Sequence, residues 1–171
     1  RMNVSCFPPL FTPSARVLVL GSMPGTASLA ANQYYAHGRN IFWPLLCDIY
    51  GVPPILSYTD KIALLATHHI AVWDVLAQCH RPGSLDTDIT KEEPNNFEEF
   101  FRRCPDIQHI FFNGKKAETS FRKFVWPILS SDLQARLTLH LLPSTSPANA
   151  GVTYAEKRQA WQALSRFSAP N

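Results

Sequence analysis

A chain of 171 residues is enough for one domain and too short for two well-cored ones, so residues 1–171 are read as a single unit. Its 46% hydrophobic content excludes a disordered or collagenous chain, and no apolar run approaches the ~18 residues of a membrane span. Sixteen basic against thirteen acidic residues leave a net charge of +3, which permits a polyanionic partner without demanding one. No charged-then-apolar leader is visible, so a cytoplasmic location is expected. Cys6, Cys47, Cys79 and Cys104 are scattered without a CxxC pair, so neither structural zinc nor an iron–sulfur cluster is expected.

Along the chain, Val17-Leu-Val-Leu20 is a branched-apolar run ending at Gly21, the pattern of a strand buried on both faces. A loop is expected from Ser22 to Arg39. A helix then opens with Asn40 as N-cap, carries Pro44 in its first turn and stops before Gly51. Ser57 to about Thr67 reads as a second helix and Ile70–Val75 as a second strand. The polar stretch from Gln78 to Pro94 reads as irregular. A third helix starts at Asn96, with Glu99 completing a capping box, and ends at Pro105. Ile107–Phe112 is a third strand, Lys115 to about Val125 a helix, and Thr138–Leu142 a fourth strand. After a Ser/Pro-rich loop, the capping box Thr153–Glu156 opens a last helix that runs to about Phe167.

Strands alternating with helices predict a three-layer α/β/α sandwich around a central parallel four-stranded sheet, because parallel strands need crossover connections. Ligands of such sheets bind outside the carboxyl ends of the strands. Those ends carry Ser22-Met23-Pro24-Gly25, Asp74, Asn113-Gly114 and Ser144-Thr145-Ser146.

The densest cluster is Gly21–Gly25 followed by Tyr34-Tyr-Ala-His-Gly-Arg-Asn-Ile-Phe-Trp43. It lacks the GxxxxGK[ST] spacing of a phosphate-binding P-loop. Its aromatic rings could stack on a nucleobase, although Tyr34, Phe42 and Trp43 also suit a core that seals the loop. Asn40 reads equally as a helix cap or as a functional amide. In Leu142-Pro-Ser-Thr-Ser-Pro-Ala-Asn149, three successive hydroxyls suit phosphate oxygens. A serine nucleophile lacks both a GxSxG elbow and an adjacent base, since His140 lies within the preceding strand. Arg39, Arg81, Lys115 and Lys116 lie near the expected rim and are candidates for phosphate contact. His37 reads best as a residue that holds its own loop by hydrogen bonds.

These two motifs resemble those of the uracil-DNA glycosylase superfamily, and most closely its hypoxanthine-DNA (deoxyinosine) glycosylase branch. The resemblance spans nearly the whole chain, with Trp73-Asp-Val-Leu76, Gly83-Ser-Leu-Asp86 and Phe112-Asn-Gly114 also similar to that family. It implies a DNA partner carrying deaminated bases, a flipped nucleotide, and hydrolysis of the N-glycosidic bond without a metal, nucleotide cofactor or lyase lysine. By position, Tyr35 would stack on the base, and Met23 stands where mismatch-specific relatives hold a water-positioning Asn. Asn40 would be the catalytic amide.

Asp74 could accept from N1–H of hypoxanthine or cap the following turn, and N–H groups around Ser22–Gly25 could donate to O6. Asn113 could touch the base or serve its turn. Ser144, Thr145, Ser146 and Asn149 would meet the DNA backbone. Two departures from the family pattern stand out. Gly38 occupies the proline position of His-Pro-x-Asn, and Ala148-Asn149-Ala150 replaces the bulky wedge of some relatives. Either Asn149 fills that gap or the wedge comes from another loop. The rival readings are a uracil or mismatch glycosylase of the same superfamily and a non-catalytic damage-binding module. A monomer is expected, because the pocket is built within one chain.

Overall fold

The computed structural model describes residues 3–55 and 57–170. Its centre is a parallel sheet of four strands, β2 (Val17–Gly21), β3 (Ile70–Asp74), β6 (His109–Asn113) and β7 (Thr138–Leu142), in the order β3-β2-β6-β7. Strand β2 pairs in register with both β3 and β6, so it is central and every residue of it is buried. This explains its unbroken apolar run: successive side chains point to opposite faces, and here both faces are covered.

The two faces hold separate cores. Leu18, Leu20, Ile110 and Phe112 pack with Phe97, Phe100 and Phe101 of α4 (Phe97–Arg103), Ala117 of α5 (Lys115–Ser120) and Leu133 of α6 (Ser131–Arg136). Val17, Val19, Val72 and Phe111 pack with Leu45 and Leu46 of α2 (Phe42–Ile49) and Leu64 and Leu65 of α3 (Tyr58–Thr67). Trp161 of α7 (Tyr154–Trp161) and Leu164 of α8 (Ala163–Ser168) complete that second layer. The three-layer expectation holds.

Helix α6 has no counterpart in the sequence reading. The helix expected from Lys115 to about Val125 is α-helical only to Ser120 and continues as a wider π-helical turn. Three further features depart from the sequence reading. The stretch expected to be irregular forms a hairpin of β4 (Leu76–His80) and β5 (Thr90–Pro94), which joins β1 (Asn3–Ser5) in a small antiparallel sheet ordered β1-β4-β5. Strand β5 reads Thr-Lys-Glu-Glu-Pro and lies at the sheet edge, where charge and proline are tolerated and no apolar alternation is required. The loop after β2 contains a short helix, α1 (Thr26–Ala31), closed by Asn32 in the left-handed conformation. Helix α2 is capped by Ile41 rather than Asn40, although the Asn40 side chain accepts from the Phe42 N–H at 2.9 Å.

Ser57 and Asn96 cap α3 and α4 as expected, and both bonds of the Thr153–Glu156 capping box are present at α7. At Asn96 the side chain accepts from Glu99 N, which is half of the box expected there.

Candidate active site

All four parallel strands end on one rim, and the loops leaving them enclose a cavity of about 240 Å³. Ser22, Met23, Pro24, Gly25, Tyr35, Asn40, Asp74, Asn113, Ser144, Thr145 and Ser146 all line it. Residues more than 120 positions apart in sequence are thus brought together. Asn149 lies outside, against a neighbouring cavity of about 610 Å³, with its Nδ2 donating to the Ser144 carbonyl at 3.2 Å.

The floor is built by close approach at Gly21. A Cβ there would stand 2.7 Å from Asp74 Oδ1 and 3.0 Å from Tyr35 Oη, so only glycine lets these two side chains converge on the strand end. Tyr35 itself sits at φ 55°, and its ring stacks on Phe42 with centroids 4.1 Å apart. Phe42 packs edge-on to both Trp43 and Trp161, while Trp43 Nε1 donates to the Tyr34 carbonyl at 2.8 Å. Tyr34, Phe42 and Trp43 are buried as core residues would be; Phe42 and Trp43 support the cavity from behind, while Tyr34 also lines it.

Asp74 is buried, and among the described residues its Oδ2 and the Tyr35 Oη have no hydrogen-bond partner. Burial pushes the Asp74 carboxyl up to about 7; the Arg81 guanidinium opposes that rise and the Asp86 carboxylate adds to it. Burial likewise raises the Tyr35 hydroxyl well above the ordinary phenol range, so it stays protonated and can donate. Arg16, His69, Arg81 and Arg136 each hold a buried unpartnered nitrogen as well, but Asp74 and Tyr35 are the pair whose side chains converge at the end of β2 in the cavity lining.

Asn40 also lines the cavity, with its Oδ1 held by Phe42 N–H and no acceptor on its Nδ2 among the described residues. One lone pair of Oδ1 and both amide hydrogens are therefore available to a ligand. His37 Nδ1 accepts from Arg39 N at 3.0 Å, the loop-holding role expected of it.

Asn113 is committed elsewhere. Its Oδ1 accepts from Thr145 N and its Nδ2 donates to Thr145 Oγ1, both at 2.9 Å, which ties the end of β6 to the loop after β7. Thr145 is 1% exposed, and its carbonyl accepts from Ile41 N at 3.1 Å. This corrects the expectation that its side chain meets DNA backbone: Thr145 joins three loops into one wall. Ser144 and Ser146 are partly exposed, and each Oγ accepts from a backbone N–H two residues on, leaving the hydroxyl hydrogen free.

Arg81 is the largest correction. Expected on the rim as a phosphate contact, it is 2% exposed. It donates to the Pro24 and Ser84 carbonyls and pairs with Asp86 at 3.7 Å. Ser22 Oγ donates to Asp86 Oδ1 at 2.6 Å, and Ser84 Oγ accepts from Thr26 N at 2.9 Å. The loop between β4 and β5 therefore clamps the Ser22–Thr26 turn. Sequence reasoning gave Ser84 and Asp86 no role, and the only signal was the Gly83–Asp86 resemblance. Lys115 and Lys116 are likewise paired, with Glu118 at 2.7 Å and Glu92 at 2.9 Å. No group of three His, Cys, Asp or Glu side chains positioned to hold a metal occurs among the described residues, and no helix there is long and apolar enough to cross a membrane.

Comparison with known proteins places this arrangement. Residues 8–165 match the family model of the uracil DNA glycosylase superfamily. A hypoxanthine DNA glycosylase of Methanosarcina barkeri is 38% identical over 68% of this chain and 74% of its own. Another, from Methanosarcina acetivorans, is 32% identical over 94% of this chain and 96% of its own. A solution NMR structure of a candidate uracil DNA glycosylase from Methanosarcina acetivorans superposes with a TM-score of 0.82 at 29% identity, covering 98% of this chain and 99% of that one. With most of its length matched by the family model, the chain belongs to the uracil DNA glycosylase superfamily.

Proposed function

We propose that this protein is a monofunctional DNA glycosylase, acting as a monomer, that extrudes deoxyinosine from DNA and hydrolyses its N-glycosidic bond to release hypoxanthine. The observation that carries the reading is the buried, unpartnered Asp74 oxygen in a cavity at the strand ends, beside the Tyr35 ring. Hypoxanthine presents an N1–H donor where adenine presents an acceptor. A carboxylate at that edge accepts from the deaminated base and repels the normal one. The names carried by both Methanosarcina relatives support the same substrate.

In this scheme Tyr35 stacks on the extruded base, and N–H groups of the Ser22–Gly25 turn donate to O6. Bond breaking leaves an oxocarbenium-like sugar, and those same donors stabilise the negative charge that collects on the departing base. Asn40 is the catalytic residue. Its Oδ1, already oriented by Phe42 N–H, holds water through the second lone pair on the face from which C1′ is attacked. The Met23 side chain, a weakly accepting thioether, is unsuited to orient that water.

The test is single-turnover base release from duplexes carrying deoxyinosine, deoxyuridine or a G·T mismatch, with abasic sites revealed by hot alkali. Release confined mainly to deoxyinosine, and reduced ~100-fold or more in Asn40→Ala, is the expected result. Faster release of uracil would replace hypoxanthine as the substrate. Damage binding without any abasic product would remove the catalytic role altogether.

A further inference from the structure

We propose that Leu85 enters the duplex in place of the extruded nucleotide and keeps the helix open while the base is in the cavity; this rests on the reading of that cavity as a nucleobase site. Leu85 is 54% exposed and lines both the base cavity and its larger neighbour. Leu29, Ile128, Leu141 and Tyr154 are also large, apolar and exposed, yet none of them lines the base cavity. Apolar surface held in water beside a site for a polyanion is unfavourable until something covers it. A flipped nucleotide leaves two bare base faces in the stack, and an apolar side chain between them covers both itself and them.

The mount is rigid. Ser84, on one side of Leu85, is bonded to Thr26, and Asp86, on the other, to Ser22 and Arg81. Leu85 caps the short helical turn Asp86–Asp88, and its carbonyl accepts from Asp88 N at 3.1 Å. The two anchors Thr26 and Ser22 belong to the turn that borders the base cavity, so the leucine is fixed relative to the base site rather than to a loose loop. Little backbone freedom is then lost on insertion. On the opposite rim, the loop after β7 brings Ser144, Ser146, Pro147 and Ala148 to the base cavity, side chains that are small, polar or ring-locked, while Asn149 and Val152 line only the larger neighbour.

A residue that fills the gap matters only when there is a stack to invade. Leu85→Ala is therefore expected to slow base release from duplex deoxyinosine ~10-fold or more while changing release from a single-stranded deoxyinosine oligonucleotide less than ~2-fold. Leu85→Met should restore the duplex rate, because it is apolar and long enough to fill the same space. Equal slowing on both substrates, or no slowing on the duplex, would overturn the assignment.

Insertion can also be read without chemistry, in a duplex carrying a tetrahydrofuran abasic analogue with 2-aminopurine as its neighbour. Wild type and Leu85→Met should change the 2-aminopurine fluorescence on binding, and Leu85→Ala should bind without that change. An unchanged signal in Leu85→Ala would refute the proposal. If wild type releases no hypoxanthine from either strand form, the substrate reading fails, while the fluorescence contrast still decides the role of Leu85.

Discussion

Adding one methyl group at the end of the central strand tests the geometry of the base site directly. In Gly21→Ala the new Cβ would lie 2.7 Å from Asp74 Oδ1 and 3.0 Å from Tyr35 Oη. Ordinary contacts are about 3.5 Å, so the shortfalls are roughly 0.8 and 0.5 Å. Neither neighbour can step aside freely. Tyr35 is backed by Phe42, which is wedged against Trp43 and Trp161, and the Asp74 main chain is bonded to Val17–Gly21 by the sheet and to Asn95 Nδ2 at 2.8 Å. Overpacking of this kind costs about 1–3 kcal/mol. For a chain of this length that lowers Tm by roughly 2–12 °C.

The effect on chemistry should be larger than the effect on stability. Misplacing a substrate contact by about 1 Å can lower the rate ~100-fold, so a 10- to 100-fold loss in single-turnover release of hypoxanthine is expected. Gly38→Ala is the control, since nothing lies within 4 Å of its Cβ position, and it should leave both Tm and rate near wild type. Wild-type Tm and rate in Gly21→Ala would show that Asp74 and Tyr35 do not converge there.

Two further outcomes are expected. Asp74 is held near 7 in the fold against 3.8 in an ordinary carboxyl, so the folded state binds its proton more tightly than the unfolded one and this group lowers stability as pH rises from about 4 to about 7. The stability of Asp74→Asn relative to wild type, followed by urea denaturation, should rise across that window; a constant offset from pH 4 to 8 would sink the idea. Because the carboxylate accepts from N1–H, release of hypoxanthine by wild type should increase with pH through about 7, and Asp74→Asn should lack that limb. Arg81→Met strands the Pro24 carbonyl while the half-exposed Asp86 carboxylate it leaves behind stays hydrated, a loss of about 1–3 kcal/mol. It also moves the rate limb to higher pH, because the Arg81 charge opposes the rise in Asp74; a limb left in place would break the link between them.

What the sequence disclosed followed from burial. Strands covered on both faces must be apolar throughout, so β2 and β3 stood out, and the residues just past their ends were the natural site candidates. Helix α7 announced itself through a capping box whose two bonds are both local. The hairpin β4–β5 was hidden because its edge strand needs no apolar face, and with it went the clamp on the Ser22–Thr26 turn. The burial of Arg81 was equally hidden. An arginine in a polar stretch reads as solvated, and its Pro24 partner lies 57 residues away. For Asn113 the sequence leaves open a contact with the base or a role in its turn, and only the folded chain shows its Oδ1 and Nδ2 each bonded to Thr145 while the residue also lines the cavity. For Asn40 the cap-like bond and the open amide coexist, so the two sequence readings were not alternatives.

The wall that joins Ile41, Asn113 and Thr145 has a consequence for how the enzyme comes into being on the ribosome. Gly21 and Asp74 emerge early, yet the wall closes only when the loop after the last strand has been made and docked. Parallel pairing between distant segments forms late, after the long chain connections have been ordered. On a growing chain the wall of the base cavity therefore cannot close until the loop after the last strand has been made.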